Sequence, residues 1–147
     1  MTHRFNLRVY ALIIDEHQRI LLSDEFRFGH FFTKFPGGGV EENEGITDAL
    51  KRELKEELAA DIQHSSFFYF NDFVQVSAFD PTQQIVAFYY LVQLKNQHEF
   101  GTESYPIPFD VETEKQRWIP LSTLAKEDLT FPIDQQVLIK LKETFIS

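Results

Sequence analysis

Residues 35 to 58 read FPGGGVEENEGITDALKRELKEEL, and this stretch constrains the chain more than any other. Three consecutive glycines follow a proline, and a helix-patterned segment loaded with glutamates comes next. A helix needs no glycine run to begin, so the glycines serve something else. Without a Cβ, Gly37, Gly38 and Gly39 reach backbone angles closed to other residues and let carbonyls or amides approach a metal or phosphate closely. Pro36 fixes the approach of the chain and pushes Phe35 into an extended conformation. Downstream, Ile46, Leu50, Leu54 and Leu58 recur every four residues, which predicts a helix over roughly 45–59 with an apolar stripe. Glu53 and Glu57 share that spacing on a neighbouring stripe, and Glu56 flanks them. Three carboxylates this close repel one another unless cations pair with them, and ligation by oxygen alone is what Mg²⁺ and Mn²⁺ prefer. Arg52 is the nearby cation suited to position the group, and Glu44 lies eight residues before it at the helix entrance. Alone, KRELKEEL reads as a solvated face whose glutamates pair along the helix. Joined to the glycine loop, it reads as a holder of something doubly charged.

The rest of the sequence narrows the field. A length of 147 residues suits one domain, over residues 1–147, and 16 phenylalanines among 43% hydrophobic residues supply a core for it. The net charge of −9 argues against a nucleic-acid or anionic-membrane surface, which needs a basic patch. A small charged substrate is still admitted, because a bound divalent ion inverts the local sign. There is no cysteine, so disulfides, thiolate metal sites and cysteine nucleophiles are excluded. The N-terminal MTHRFNLRVYALIID reads as neither a signal peptide nor a membrane span, and the cytoplasm is the expected location.

Strand and helix patterns alternate along the chain. FNLRVYALII (5–14) reads as a strand, DEHQ (15–18) as a turn, and RILLS (19–23) as a strand returning on the first as a hairpin. Residues 24–34 read as an aromatic and charged loop or short strand. After the glycine loop and its helix, IQHSSFFYF (62–70), DFVQVSAF (72–79) and IVAFYYLVQL (85–94) read as strands, with DPTQQ (80–84) as the turn between the last two. Residues 95–115 are polar and form the longest irregular candidate. RWIPL (117–121) predicts a short strand, STLAKED (122–128) a helical turn, and FPIDQQVLIKLKETF (131–145) a closing helix. Pro132 suits that helix's first turn, and Ile133, Val137, Leu138 and Leu141 give its stripe. The sum is α/β, a mixed sheet between helices.

Gly38, Glu44, Arg52, Glu53, Leu54, Glu56 and Glu57 stand in the pattern Gly-x5-Glu-x7-Arg-Glu-apolar-x-Glu-Glu-x-Gly-apolar, closed by Ala60. By these residues the chain resembles the Nudix (MutT-like) hydrolases, with the Nudix box at about 38–60. The pattern's second glycine is Ala59 here. That glycine normally ends the helix in a left-handed conformation, which costs Ala roughly 1 kcal/mol. Either Ala59 stays helical and the exit shifts, or the turn carries mild strain. The order of the remaining elements also follows the family's α/β/α sandwich. The resemblance implies hydrolysis of a nucleoside diphosphate linked to another group X, such as a nucleotide sugar, an ADP-ribose-like compound or a nucleoside triphosphate. It implies Glu53, Glu56 and Glu57 as ligands of Mg²⁺ or Mn²⁺, with a carbonyl near Gly37 or Gly38 added, and Arg52 and Glu44 as the residues that fix them. It also implies a further glutamate ahead of the last strand as base or extra ligand, for which Glu114 is preferred over Glu112. A different class, a non-catalytic Nudix-fold nucleotide sensor, is disfavoured because all three carboxylates are intact.

Other residues carry weaker signals. His3, His17, His30, His64 and His98 are scattered without ligand spacing and read as surface residues. Lys34 and Arg27 lie near the glycine loop and are candidates to meet phosphate. Phe26, Phe28, Phe31 and Phe32 are candidates to stack on a base, although packing is the plainer use. FFYFNDF (67–73) exceeds what one strand face can bury, and contact with a second copy in a homodimer would account for it.

Overall fold

The computed structural model describes residues 1 to 146; Ser147 and the side chain of His98 lie outside the described residues. The chain divides into two compact units, Met1–Leu12 with Pro36–Lys95, and Ile13–Phe35 with Asn96–Ser147. The family pattern at 38–60 falls wholly within the first.

The first unit is a four-stranded mixed sheet in the order β4-β1-β6-β5 with one helix. Strand β1 (Arg4–Leu12) runs parallel to β6 (Gln83–Leu94) and antiparallel to β4 (Gly37–Gly39), and β5 (Ile62–Phe70) closes the other edge against β6. The glycine loop is therefore a short strand, with Gly37, Gly38 and Gly39 opposite Tyr10, Val9 and Arg8. The backbone comes so close there that a Cβ on Gly37 (φ +141°) would strike the Val9 carbonyl oxygen and Tyr10. Helix α1 (Ile46–Leu58) packs on β1 and β4. Its Leu50, Leu54 and Leu58 are buried as the four-residue spacing requires, joined by Ala49. Asp48 accepts from the Gly45 N–H at 3.1 Å and places negative charge in the first turn, where the helix dipole favours it.

The second unit is an antiparallel sheet, β3-β2-β7, with the closing helix. Strand β2 (Arg19–Arg27) pairs with β3 (His30–Lys34) and with β7 (Thr113–Pro120). Phe28 and Gly29, at φ 56° and 76°, make the two-residue connection between β2 and β3, as the right-handed twist of a hairpin demands. Helix α2 (Pro132–Phe145) starts with Pro132 in its first turn and buries Ile133, Val137, Leu138 and Leu141, as its sequence predicts. Segment 96–112 is held rather than loose. The Trp118 indole N–H donates to the Phe100 carbonyl at 2.6 Å, and the Tyr105 hydroxyl donates to Asp24 at 2.7 Å.

The α/β class with a mixed sheet is as expected, two local expectations are corrected, and of the two readings of 24–34 the strand holds. The 5–14 and 19–23 strands do not form a hairpin: β1 and β2 belong to different sheets, and across the turn Ile14 alone bridges to Ile20. Main-chain pairing with β6 and β4 takes up both edges of β1. Residues 24–34 are the end of β2 and all of β3. Segment 72–79 is not a strand beyond one bridge, Val76 to Gln84. Asn71 holds it instead, donating to the Phe73 and Ile85 carbonyls at 3.0 Å and accepting from the Ala87 N–H at 2.8 Å. None of the described helices is long and apolar enough to cross a membrane.

Candidate active site

In the first unit, helix α1 lays its polar stripe beside β4. Glu53 rests on Gly38 so closely that a Cβ there would lie 2.5 to 2.6 Å from its carboxylate. The Gly37 N–H donates to Glu57 Oε2 at 3.2 Å. Two of the three predicted ligand carboxylates thus contact the glycine strand directly. Arg52 ties the rest together. Its Nη2 donates to the Gly39 carbonyl at 2.8 Å and to Glu44 Oε1 at 2.7 Å, and its Nε donates to Glu44 Oε2 at 3.1 Å. Its Nη1 reaches Glu53 at 3.1 Å and Glu56 at 3.3 Å. The forked guanidinium suits such multiple contacts where a point charge would not. Hydrogen bonding to Arg52 and to the Glu41 N–H holds the Glu44 carboxyl below its ordinary range. The same bond from Glu44 pushes Arg52 still further up, so this cation is permanent.

The structure therefore brings Glu44, Arg52, Glu53, Glu56, Glu57 and Gly37–Gly39 together within one unit. Among the described residues no three His, Asp or Glu side chains converge as a ready metal cage. Glu53 and Glu56 are turned onto Arg52 instead. The donor chemistry fits a hard divalent ion nonetheless: every candidate is an oxygen, and the charges are negative. Ala59 settles the open point at the helix exit. It is left-handed, at φ 52° and ψ 35°, so the turn is kept without its glycine.

The second unit holds the remaining candidates. Lys34 is buried and pairs with Glu25 at 3.0 Å, and its ammonium also donates to the Phe35 carbonyl at 3.2 Å. Arg27 bridges Glu25 and Glu114, each at 3.1 Å. Both cations expected to meet phosphate thus have carboxylate partners here. Glu25 and Glu114 sit opposite each other on β2 and β7. Burial first, and the Glu25 charge second, push the Glu114 carboxyl up from its ordinary value. Glu112 is exposed. Sequence reasoning missed Glu25, which is 3% exposed, and Asp24, fully buried and bound by Arg117, Tyr105 and Thr33. The signal was the alternation Ser23, Glu25, Arg27 along a strand. Of the loop aromatics, Phe32 is buried against Phe131 and Phe31 packs edge-on to Phe109, whereas Phe28 is 75% exposed. His3, His17, His30 and His64 are all exposed.

Known proteins resemble this chain over most of its length. The family model for the NUDIX domain matches residues 4–141. The 8-oxo-dGTP diphosphatase of Escherichia coli (strain K12) is 28% identical over 134 residues, covering 90% of this chain and 92% of that protein. A MutT structure described for Aliivibrio salmonicida and Vibrio cholerae superposes with a TM-score of 0.68 at 19% identity, covering 96% of this chain and 99% of that one. A MutT NUDIX hydrolase from Burkholderia pseudomallei gives 0.67 at 22% identity, covering 95% and 99%. The chain belongs to the Nudix family of MutT-like hydrolases and is a pyrophosphohydrolase.

Proposed function

We propose that the protein hydrolyses a nucleoside diphosphate linked to a group X at the diphosphate bond, with Mg²⁺ or Mn²⁺ held by Glu53, Glu56, Glu57 and Gly38. The observation that carries this reading is the seating of Glu53 on Gly38 and of Glu57 on the Gly37 N–H. Divalent ions neutralise diphosphate oxygens and lower the pKa of bound water. The chain's own part is to keep the carboxylates in register. Glu44 anchors Arg52 through two bonds, and Arg52 in turn restrains Glu53 and Glu56, so their charges stay on one side of the helix. Gly37, Gly38 and Gly39 provide backbone that a phosphate oxygen approaches without a Cβ in the way. The proton-accepting role is proposed for Glu114, whose raised pKa moves it towards the range in which a base works. Lys34 and Arg27 are proposed to meet phosphate, exchanging carboxylate partners to do so.

Similarity to a relative named for 8-oxo-dGTP supports nucleoside triphosphates as the first substrates to try, ahead of nucleotide sugars and ADP-ribose. The substrate is expected to be small, with no nucleic-acid partner, and the enzyme to work in the cytoplasm. A panel of oxidised and ordinary (d)NTPs, nucleotide sugars, ADP-ribose and dinucleoside polyphosphates, run with Mg²⁺ and with EDTA, tests the substrate and the metal. Turnover of at least one compound that vanishes in chelator is expected; full turnover in chelator would sink the metal assignment. Glu57→Gln keeps size and an accepting oxygen but removes charge. It should lower kcat by on the order of a hundredfold or more while the melting temperature without metal holds or rises. Near-normal hydrolysis with a lowered melting temperature would place Glu57 in the scaffold.

A further inference from the structure

Helix α1 covers only part of one face of the first unit's sheet. Gly38 and its partner Val9 point to the same side, and the Cβ position of Gly38 meets Glu53 of α1, so α1 lies on that side. Along β1 on this face, Val9 and Ala11 are fully buried, but Leu7 is 40% and Phe5 66% exposed. The register extends the uncovered area across the sheet. Phe5 and Leu7 align with Gln84 and Val86 of β6, and Val76 bridges to Gln84 from the far side. Phe70 and Phe67, 46% and 52% exposed, lie opposite Phe88 and Tyr90. Their rings form a connected ladder: Phe70 to Phe88 at 6.1 Å, Phe67 to Tyr90 at 5.6 Å, and Phe67 to Phe70 at 6.2 Å. None of these aligned positions carries a charge.

We infer that this face is the contact of a two-fold homodimer. The area argues for it. At roughly 200 Å² for a whole Phe side chain and somewhat less for Leu and Val, the exposed fractions of Phe5, Leu7, Phe67, Phe70 and Val76 amount to about 450 Å² of apolar side chain. A standard stable interface takes about 800 Å² from each partner, so the patch is the size of the apolar centre of one. The chemistry selects a second copy over other occupants. An uncharged patch is complementary to itself, as a two-fold contact requires. The net charge of −9 repels an anionic membrane. A flat sheet face lacks the concavity by which small ligands are held. Two copies of like charge also repel at long range, so added salt strengthens the dimer.

Sedimentation velocity across the micromolar range tests this. The wild type should move from 17.3 kDa towards twice that mass, more readily as sodium chloride is raised. Phe70→Glu should weaken self-association by at least about tenfold, the effect of a charge at an interface centre. Its circular dichroism should be unchanged, and its melting temperature should fall below the wild type's only at concentrations where the wild type is dimeric. If that variant fails to fold, Val76→Lys on the same face serves in its place. A wild type that stays monomeric at high concentration overturns the proposal. So does a variant that folds and dimerises as well as the wild type. Retention on zwitterionic vesicles without self-association would show the face to be a lipid contact instead.

Discussion

Position 38 has room for hydrogen and nothing larger, and position 37 has the same restriction for a different reason. Behind Gly38 is the carboxylate end of Glu53, which rotates away at small cost; behind Gly37 is the backbone of Val9 and Tyr10, which does not. Gly37 also sits at φ +141°, where an L side chain is strained. The two alanine variants should therefore fail differently. Gly38→Ala should keep its melting temperature within a few degrees and lose most of its turnover, because Glu53 is displaced. Gly37→Ala should lose stability by several kcal/mol or fail to fold, as expected when a backbone clash joins conformational strain. Thermal melts beside hydrolysis assays on both variants check this, and equal stability of the two would refute the packing argument. The residue types and spacing of this group were legible from sequence, because a one-turn repeat of glutamates has a fixed geometry. Its contacts were not. That Arg52 would bind the Gly39 carbonyl, or that Lys34 would be buried against Glu25, depends on strand register that no local pattern encodes.

Among the elements, α1 was the most readable and its exit the least. Thirteen residues with a clean apolar stripe announce a helix, but either conformation of Ala59 was compatible with the sequence. The observed turn shows why the left-handed one prevails. It lets the Ala59 N–H reach the Lys55 carbonyl at 3.0 Å and the Ala60 N–H reach that of Leu54 at 3.3 Å, and it buries Ala60. Those gains offset the roughly 1 kcal/mol that a Cβ costs there. Ala59→Gly should accordingly raise stability, by about 0.5 to 1 kcal/mol once the looser unfolded chain is discounted. Calorimetry of the two proteins should show the melting temperature up by roughly 1–4 °C, and a fall would mean the turn is unstrained. The misread elements share one cause. DFVQVSAF has the composition of a strand, yet the Asn71 side chain takes main-chain positions on β6 that a neighbouring strand would use. RILLS was right as a strand but wrong in its partner. Sequence shows that a segment wants pairing, while the choice of partner belongs to the sheet.

At the scale of the whole molecule, an acidic chain must accommodate its own charge. Much of the −9 is solvated, but Glu25 and Glu114 face each other across β2 and β7 with low exposure, held by Lys34 and Arg27. Buried pairs of this kind repay their desolvation only in part, and like charges on opposed strand positions work against the sheet. The Glu114 carboxyl carries that cost, because burial and the Glu25 charge raise its pKa above the ordinary 4.5. A carboxyl raised in the folded state binds its proton more tightly there than when unfolded. Its contribution to stability is full below the unfolded pKa and is lost as pH rises through the folded one. Glu114→Gln keeps the neutral form's shape at every pH and escapes that loss. The variant's melting temperature relative to wild type should therefore climb as pH rises from about 4 to about 7, whereas an unperturbed surface glutamate would give a flat difference. A difference that instead falls with pH would mean that the bond from Arg27 to the charged carboxylate outweighs both burial and Glu25. In that case Glu114 would be a charge fixed in place rather than a group ready to take up a proton, and its proposed role as base would fall with the pH trend.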